Sequence, residues 1–133
     1  VDGNVPEPLS GKNIYSLNLS TLVAGTKYRG QFEERLQDLI SEAVADEDCI
    51  LFIDEFHTIT GAGGAEGGLD AANIMKPLLS RGKLKCIGAT TPKEYKKTIE
   101  KDSALDRRFQ PVSISEPNQK DCLEILNGII FFV

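Results

Sequence analysis

Apolar and polar residues change rhythm along this chain so that strand patterns alternate with helix patterns. Tyr15, Leu17 and Leu19 fall on one face of an extended segment, which predicts a first strand. Phe32, Leu36, Leu39, Ile40, Ala43 and Val44 recur at helical spacing through a charged background, the pattern of a surface helix laid on a core. Cys49-Ile50-Leu51-Phe52-Ile53 is apolar without a break and bounded by charge, as expected of a strand covered on both faces in a parallel sheet. Gly61, Gly63, Gly64, Gly67 and Gly68 predict a flexible loop; beyond it Leu69, Ala72, Met75, Leu78 and Leu79 mark a helix that Pro77 should bend. Leu84 to Ala89 reads as another strand, and Thr91-Pro92-Lys93-Glu94 supplies an N-cap, a first-turn Pro and a capping-box acid for a helix through about Ile99. Pro111 to Ser115 reads as a weaker strand, and Asp121 to Asn127 with Gly128 as a short helix and its stop.

The order β-α-β-α-β-α-β-α specifies an α/β parallel sheet, whose ligands sit beyond the carboxyl ends of the strands. At 133 residues the chain is one domain or a piece of one. No repeat, low-complexity tract or interdomain linker interrupts it. A composition of 41% hydrophobic and 26% charged residues excludes wholesale disorder. The net charge of −5 argues against nucleic-acid binding carried mainly by phosphate neutralisation, although ten of the fifteen Lys and Arg lie between Lys76 and Arg108 and leave a local basic stretch. Apolar runs of five residues fall far short of the roughly 20 that span a bilayer, so the reading is of a soluble chain. Nothing at Val1-Asp2-Gly3-Asn4 resembles a signal peptide, and the lack of an initiating Met suggests a piece of a longer protein. Cys49, Cys86 and Cys122 are odd in number and widely spaced, and two of them lie in apolar runs; buried free thiols in a reducing compartment are expected.

Asp54-Glu55 follows the apolar strand directly, which places two carboxylates at the sheet edge where a ligand would sit. Phosphoryl chemistry needs one rigid carboxylate to hold the Mg²⁺ shell and a second to orient the attacking water, and adjacent acids after a buried strand provide both. A solvated strand end is the plain alternative, and on these residues alone the two readings stand about even.

The surrounding residues decide between them. Val23-Ala24-Gly25-Thr26-Lys27-Tyr28-Arg29-Gly30, Phe32-Glu33-Glu34-Arg35-Leu36, Ile50-Leu51-Phe52-Ile53-Asp54-Glu55 with His57-Thr58, Gly61-Ala62-Gly63, Gly88-Ala89-Thr90-Thr91, Ile99-Glu100-Lys101-Asp102 and Asp106-Arg107-Arg108-Phe109-Gln110 together resemble the first nucleotide-binding domain of the Clp family of AAA+ unfoldases. The resemblance covers about residues 4 to 128, and the branch within the family stays open. It implies ATP as nucleotide and Mg²⁺ as metal, with Asp54 as the Walker B carboxylate that holds the magnesium shell and Glu55 as the residue that polarises the hydrolytic water. Thr91 matches the sensor position, where a hydroxyl can bond the γ-phosphate or the lytic water; a structural use as helix cap competes for the same hydroxyl. Arg107 and Arg108 match the arginine fingers that reach into the next subunit's site. Tyr28 matches the first pore loop, where an aromatic side chain grips unfolded polypeptide with large contact area at low entropy cost. His57 is the only histidine, and a hydrogen bond near Glu55 suits it better than a metal cluster.

The chain departs from the family in one large respect: it contains no GxxxxGK[ST], the phosphate cradle. By the resemblance the fold is an incomplete AAA+ P-loop NTPase core, without the Walker A strand and helix and without most of the helical lid. Residues 1–115 are expected to form the partial large subdomain and 116–133 the start of the lid with an atypical apolar tail, Ile129-Ile130-Phe131-Phe132-Val133. In the family the missing strand lies between those matching Leu84 to Ala89 and Pro111 to Ser115. Three outcomes are therefore expected: these two pair directly, another copy supplies a strand, or the C-terminal segment detaches, with the apolar tail as a candidate filler.

Functionally the resemblance implies the ATPase module of a chaperone that threads polypeptides through a homo-hexameric pore, in the cytoplasm or an organelle matrix or stroma, with a Clp peptidase as a conceivable partner. The isolated chain is expected to be inactive. Two other classes stand beside this: a non-catalytic binding or regulatory module that keeps the AAA+ interface, and a nucleic-acid-acting AAA+ ATPase that uses the basic stretch.

Overall fold

A computed structural model describes residues 4–24, 28–60 and 71–130. Three parallel strands form its sheet in the order β1-β2-β3, with β1 at Asn13–Leu17, β2 at Cys49–Ile53 and β3 at Cys86–Gly88. Asn13 stands opposite Cys49 and Leu17 opposite Ile53, while Leu51 stands opposite Cys86 and Ile53 opposite Gly88. The uninterrupted apolar run thus occupies the central strand, and four of its five residues are buried. The strand expected over Leu84 to Ala89 is shorter as a ladder, but its flanks still bond to β2: Leu51 N donates to Lys85 O and Ala89 N to Ile53 O.

Helices make the crossovers that parallel strands require. After β1, Asn18 caps α1 (Leu19–Val23) by accepting from Thr21 N, so Leu19 opens a helix and does not continue the strand face it was expected to share. A residue whose side chain accepts the first-turn amide ends a strand pattern in favour of a helix. Helix α2, Arg29–Ala45, buries Phe32, Leu36 and Ile40 and half-buries Leu39, Ala43 and Val44, the face its periodicity predicted. Helix α3, Ala71–Ser80, contains Pro77 and buries Ala71, Ala72, Met75 and Leu79. The core gathers these residues with Leu17, Leu51, Ile53, Phe56, Ile59, Leu84, Ile99 and Leu105. Residues 25–27, 61–70 and 131–133, which include the predicted glycine loop and the end of the apolar tail, lie outside the described residues.

After β3, α4 spans Pro92–Glu94 with Pro at its first position, and the chain widens into a π-helical turn over Tyr95–Ile99, closed by Glu100 N donating to Tyr95 O. Helix α5, Ser103–Asp106, follows, capped by Asp102.

Two expectations for the C-terminal part fail. Pro111 to Ser115 is not a strand: it pairs with nothing in the sheet, and Val112 and Ile114 are 79% and 91% exposed. Its alternation fits a strand, but a strand exists only where an edge accepts it, and this stretch does not reach β3. Gly128 does not stop the last helix, since α6 runs Gln119–Ile130. Ile129 and Ile130, the described residues of the tail named as a candidate filler, are therefore helical and lie at no sheet edge. Of the three outcomes foreseen, direct pairing beside β3 is absent, and residues 110–130 stand off the core with no buried side chain. The cysteines are free: Cys49 is buried, Cys86 is partly buried with its thiol pushed up to about 12 by desolvation, and Cys122 is exposed.

Candidate functional site

The acidic pair sits where the sequence put it, at the carboxyl end of the central strand. The chain turns sharply there because Glu55 adopts a left-handed backbone, φ 48°, a conformation that costs a non-glycine residue about 1–3 kcal/mol and gathers at functional sites. Local bonds hold it. Glu55 N donates to Asp54 Oδ1 at 2.9 Å, and Thr58 N donates to Glu55 O at 2.8 Å. Asp54 thus spends one oxygen on the turn, and its other oxygen could serve a metal through that metal's water shell. The Glu55 side chain is 64% exposed, open to solvent at the sheet edge.

Below the pair, Phe56 anchors the turn. It is buried, its N donates to Ala89 O at 2.8 Å, and it occupies the space beside Gly88: a Cβ there would lie 2.6 Å from Phe56 Cγ. The 3₁₀ turn Phe56–Thr60 then carries His57, with Ile59 fully buried beneath it. His57 Nε2 lies 3.4 Å from Glu55 Oε2, and its Nδ1 lies 2.8 Å from Thr90 Oγ1 at the end of β3. The expected contact between His57 and Glu55 is present. The contact with Thr90 was missed, because it joins residues 33 apart through strand register, and only the pairing of β2 with β3 reveals it.

Thr91 does what its capping pattern predicted: its hydroxyl oxygen accepts from Glu94 N at 3.2 Å. The hydroxyl proton is not consumed by that bond, since a threonine both donates and accepts. Thr91 and Thr90 therefore divide the work at the end of β3, one capping α4 and the other facing His57.

Arg107 and Arg108 are exposed at the end of α5. Two connections fix their place. Asp102 caps α5 by accepting from Ala104 N and Leu105 N and pairs with Lys76 of α3 at 2.6 Å; the bonded ammonium holds the Asp102 carboxyl below the usual range. Beyond the arginines, Phe109 N returns to Leu105 O, and its ring meets Phe56 edge-on with centroids 4.7 Å apart. The residue after the acidic pair thus packs on the residue after the arginine pair. Tyr28 stands elsewhere, at the N-cap of α2 and 73% exposed; no hydrogen bond or ring contact among the described residues ties it to the acidic corner.

A parallel sheet whose central strand ends in an acidic pair, beside a hydroxyl-bearing strand end, has the form of an α/β core whose ligands sit beyond the carboxyl ends of the strands. The family model described as "ATPase family associated with various cellular activities (AAA)" matches residues 7–113, and the chain belongs to that family. Its relatives carry Clp names. It is 60% identical over 129 residues to the "ATP-dependent Clp protease ATP-binding subunit ClpC" of Staphylococcus saprophyticus, covering 97% of this chain and 16% of that protein. It is 59% identical over 128 residues to the "Chaperone protein ClpC1, chloroplastic" of Oryza sativa, covering 96% of this chain and 14% of the relative. Among solved structures, Hsp104 with ATPγS and FITC-casein in a closed state superposes with a TM-score of 0.78 at 46% identity, covering 96% of this chain and 22% of that one. The chain therefore spans about a sixth or less of the length of these curated relatives, and the resemblance to the Clp family is borne out over nearly all of it. None of the helices among the described residues is long and apolar enough to cross a membrane.

Proposed function

We propose that this chain is part of the ATPase module of a Clp-type chaperone, which in the whole protein hydrolyses ATP to unfold polypeptides and thread them through a homo-hexameric pore. The observation that carries the reading is the corner at Asp54 and Glu55: a buried strand delivers both carboxylates, one tied into the turn and the other mostly exposed at its edge, facing His57. Asp54 then holds the Mg²⁺ shell and Glu55 polarises the attacking water, while bound Mg²⁺ would neutralise charge on the transferred phosphoryl. Thr91 can offer its hydroxyl proton to the γ-phosphate while it caps α4.

Arg107 and Arg108, exposed and held by the Asp102 cap on one side and the Phe109 ring on the other, act as fingers toward a neighbouring subunit. Tyr28 is the polypeptide-gripping aromatic. The names of the relatives, an ATP-binding subunit of a Clp protease and an Hsp104 determined with casein, support a peptide substrate and allow a peptidase partner. They favour this over a nucleic-acid partner, as does the use of Lys76 by Asp102 and of Lys85 by Glu47 O within the basic stretch. Residues 116–133 are read as the start of the lid with an atypical tail, and the compartment as the cytoplasm or an organelle matrix or stroma. The isolated chain lacks GxxxxGK[ST] and is expected to be inactive.

Tyr28→Ala in the full-length protein tests the substrate class. Threading of an unfolded polypeptide should slow severalfold while basal ATP hydrolysis stays within about twofold, since the ring touches polypeptide and not nucleotide. Unchanged threading at saturating ATP removes Tyr28 from the pore.

A further inference from the structure

Three side chains at the acidic corner form a chain whose polarity can be worked out, and the inference rests on Glu55 being the water-polarising group. His57 presents Nε2 to Glu55 Oε2 at 3.4 Å and Nδ1 to Thr90 Oγ1 at 2.8 Å. An ionised carboxylate only accepts hydrogen bonds, so the nitrogen facing it must carry the proton. A neutral imidazole has a single N–H, which leaves Nδ1 as an acceptor and makes the Thr90 hydroxyl its donor. The opposite tautomer would set a nitrogen lone pair against the carboxylate. In the imidazolium both nitrogens donate and Thr90 Oγ1 accepts, so a threonine hydroxyl serves either form.

Thr90 and His57 are both carried on bonded, packed backbone. Thr90 follows Ala89, whose N donates to Ile53 O and whose O accepts from Phe56 N. His57 follows buried Phe56 and precedes buried Ile59, and its own O accepts from Thr60 Oγ1 at 2.9 Å. The His57 side chain, between Thr90 and Glu55, is mostly buried, 19% exposed, whereas the Glu55 side chain it faces is 64% exposed. A mostly exposed carboxylate samples several rotamers unless something restrains it. The 3.4 Å separation is long for a hydrogen bond, and such contacts tighten when a reaction complex assembles.

We propose that Thr90 is a positioning residue: it fixes the ring of His57 with Nε2–H toward Glu55, so that His57 steadies Oε2 and leaves the other carboxylate oxygen for the attacking water. Thr90 thereby acts through His57 and touches neither nucleotide nor water.

The test uses assembled rings of the full-length protein. Thr90→Val keeps the shape and removes the hydroxyl; kcat for ATP hydrolysis should fall about tenfold with KM for ATP nearly unchanged, the scale on which groups that orient a reacting residue act. Thr90→Ser, which restores a hydroxyl, should return kcat to within about twofold. Thr90→Val added to His57→Ala should lower kcat no further than His57→Ala alone, because the two act in series. Should the valine rings not assemble, Thr90→Ala carries the same expectations.

A kcat unchanged by loss of the hydroxyl overturns the proposal. So does an equal loss in Thr90→Ser, or a full additional loss on top of His57→Ala. Glu55→Gln separates this from failure of the underlying reading. If that variant still hydrolyses ATP, the role of Glu55 falls. If it is inactive while Thr90→Val matches the unchanged protein, only the role of Thr90 falls.

Discussion

Helices α3 and α6 carry the same kind of amphipathic pattern and meet opposite fates. In α3, Ala71, Ala72, Met75 and Leu79 are all 9% exposed or less. In α6, Leu123, Ile125, Leu126, Ile129 and Ile130 are 51% to 67% exposed, and no residue is buried. The difference is topological. Helix α3 lies in the crossover from β2 to β3, two strands already paired, so its apolar stripe is delivered to the core beside α2 and the turn that bears Ile59. Helix α6 follows Pro111 to Ser115, which joins no strand, so nothing delivers it anywhere. Amphipathic spacing encodes a helix and a face; burial of that face also needs a neighbour fixed by the rest of the fold.

This contrast can be broken most forcefully at Phe56, which links the sheet, the acidic turn and Phe109. Phe56→Ala should cost about 3–5 kcal/mol in urea unfolding, the usual scale for a truncated buried aromatic. Leu126→Ala in α6, changed in parallel, should stay within about 0.5 kcal/mol as surface substitutions do. A loss of 2 kcal/mol or more at Leu126 would show that α6 is packed after all.

Gly88→Ala probes the same corner from the other side. Its Cβ would lie 2.6 Å from Phe56 Cγ, a ring that is itself buried, so overpacking should cost about 1–3 kcal/mol. Gly128 in α6 has nothing within 4 Å, and Gly128→Ala should raise helix content slightly instead. Equal effects at the two glycines would erase the distinction between the regions.

The smallest effect is expected at Asp102, where α3 is tied to α5. Asn also caps helices, so Asp102→Asn isolates the pairing with Lys76 and should cost about 1 kcal/mol or less at neutral pH. The pairing lowers the folded pKa of Asp102 below its ordinary 3.8. Its contribution is therefore complete above that ordinary value and is lost as the pH falls through the lower folded value. Stability curves of the two proteins measured from pH 7 downward should converge in acid; a gap that widens there contradicts the assignment.

Much of the candidate site is legible in the sequence because its signals are local. The apolar run with charge at both ends gave β2 and its acidic terminus, and Thr91-Pro92-Lys93-Glu94 gave a cap that the structure reproduces in the bond from Glu94 N. What escaped is non-local. Thr90 meets His57 only because β2 and β3 pair in one register, and Phe109 meets Phe56 only because α5 folds back over the turn. Pro111 to Ser115 shows the converse error: Val112 and Ile114 alternate as a strand does, yet alternation cannot tell whether an edge is within reach. The left-handed backbone of Glu55 was equally invisible, since glutamate is not a residue whose presence announces positive φ.

The proposed ATPase role stands on Glu55, and the most direct measurement compares Glu55→Gln with the unchanged full-length protein for both ATP binding and ATP hydrolysis. Glutamine keeps the shape and removes the charge that polarises water, so binding should persist while turnover falls by about 10²-fold or more. Turnover equal to that of the unchanged protein would contradict it.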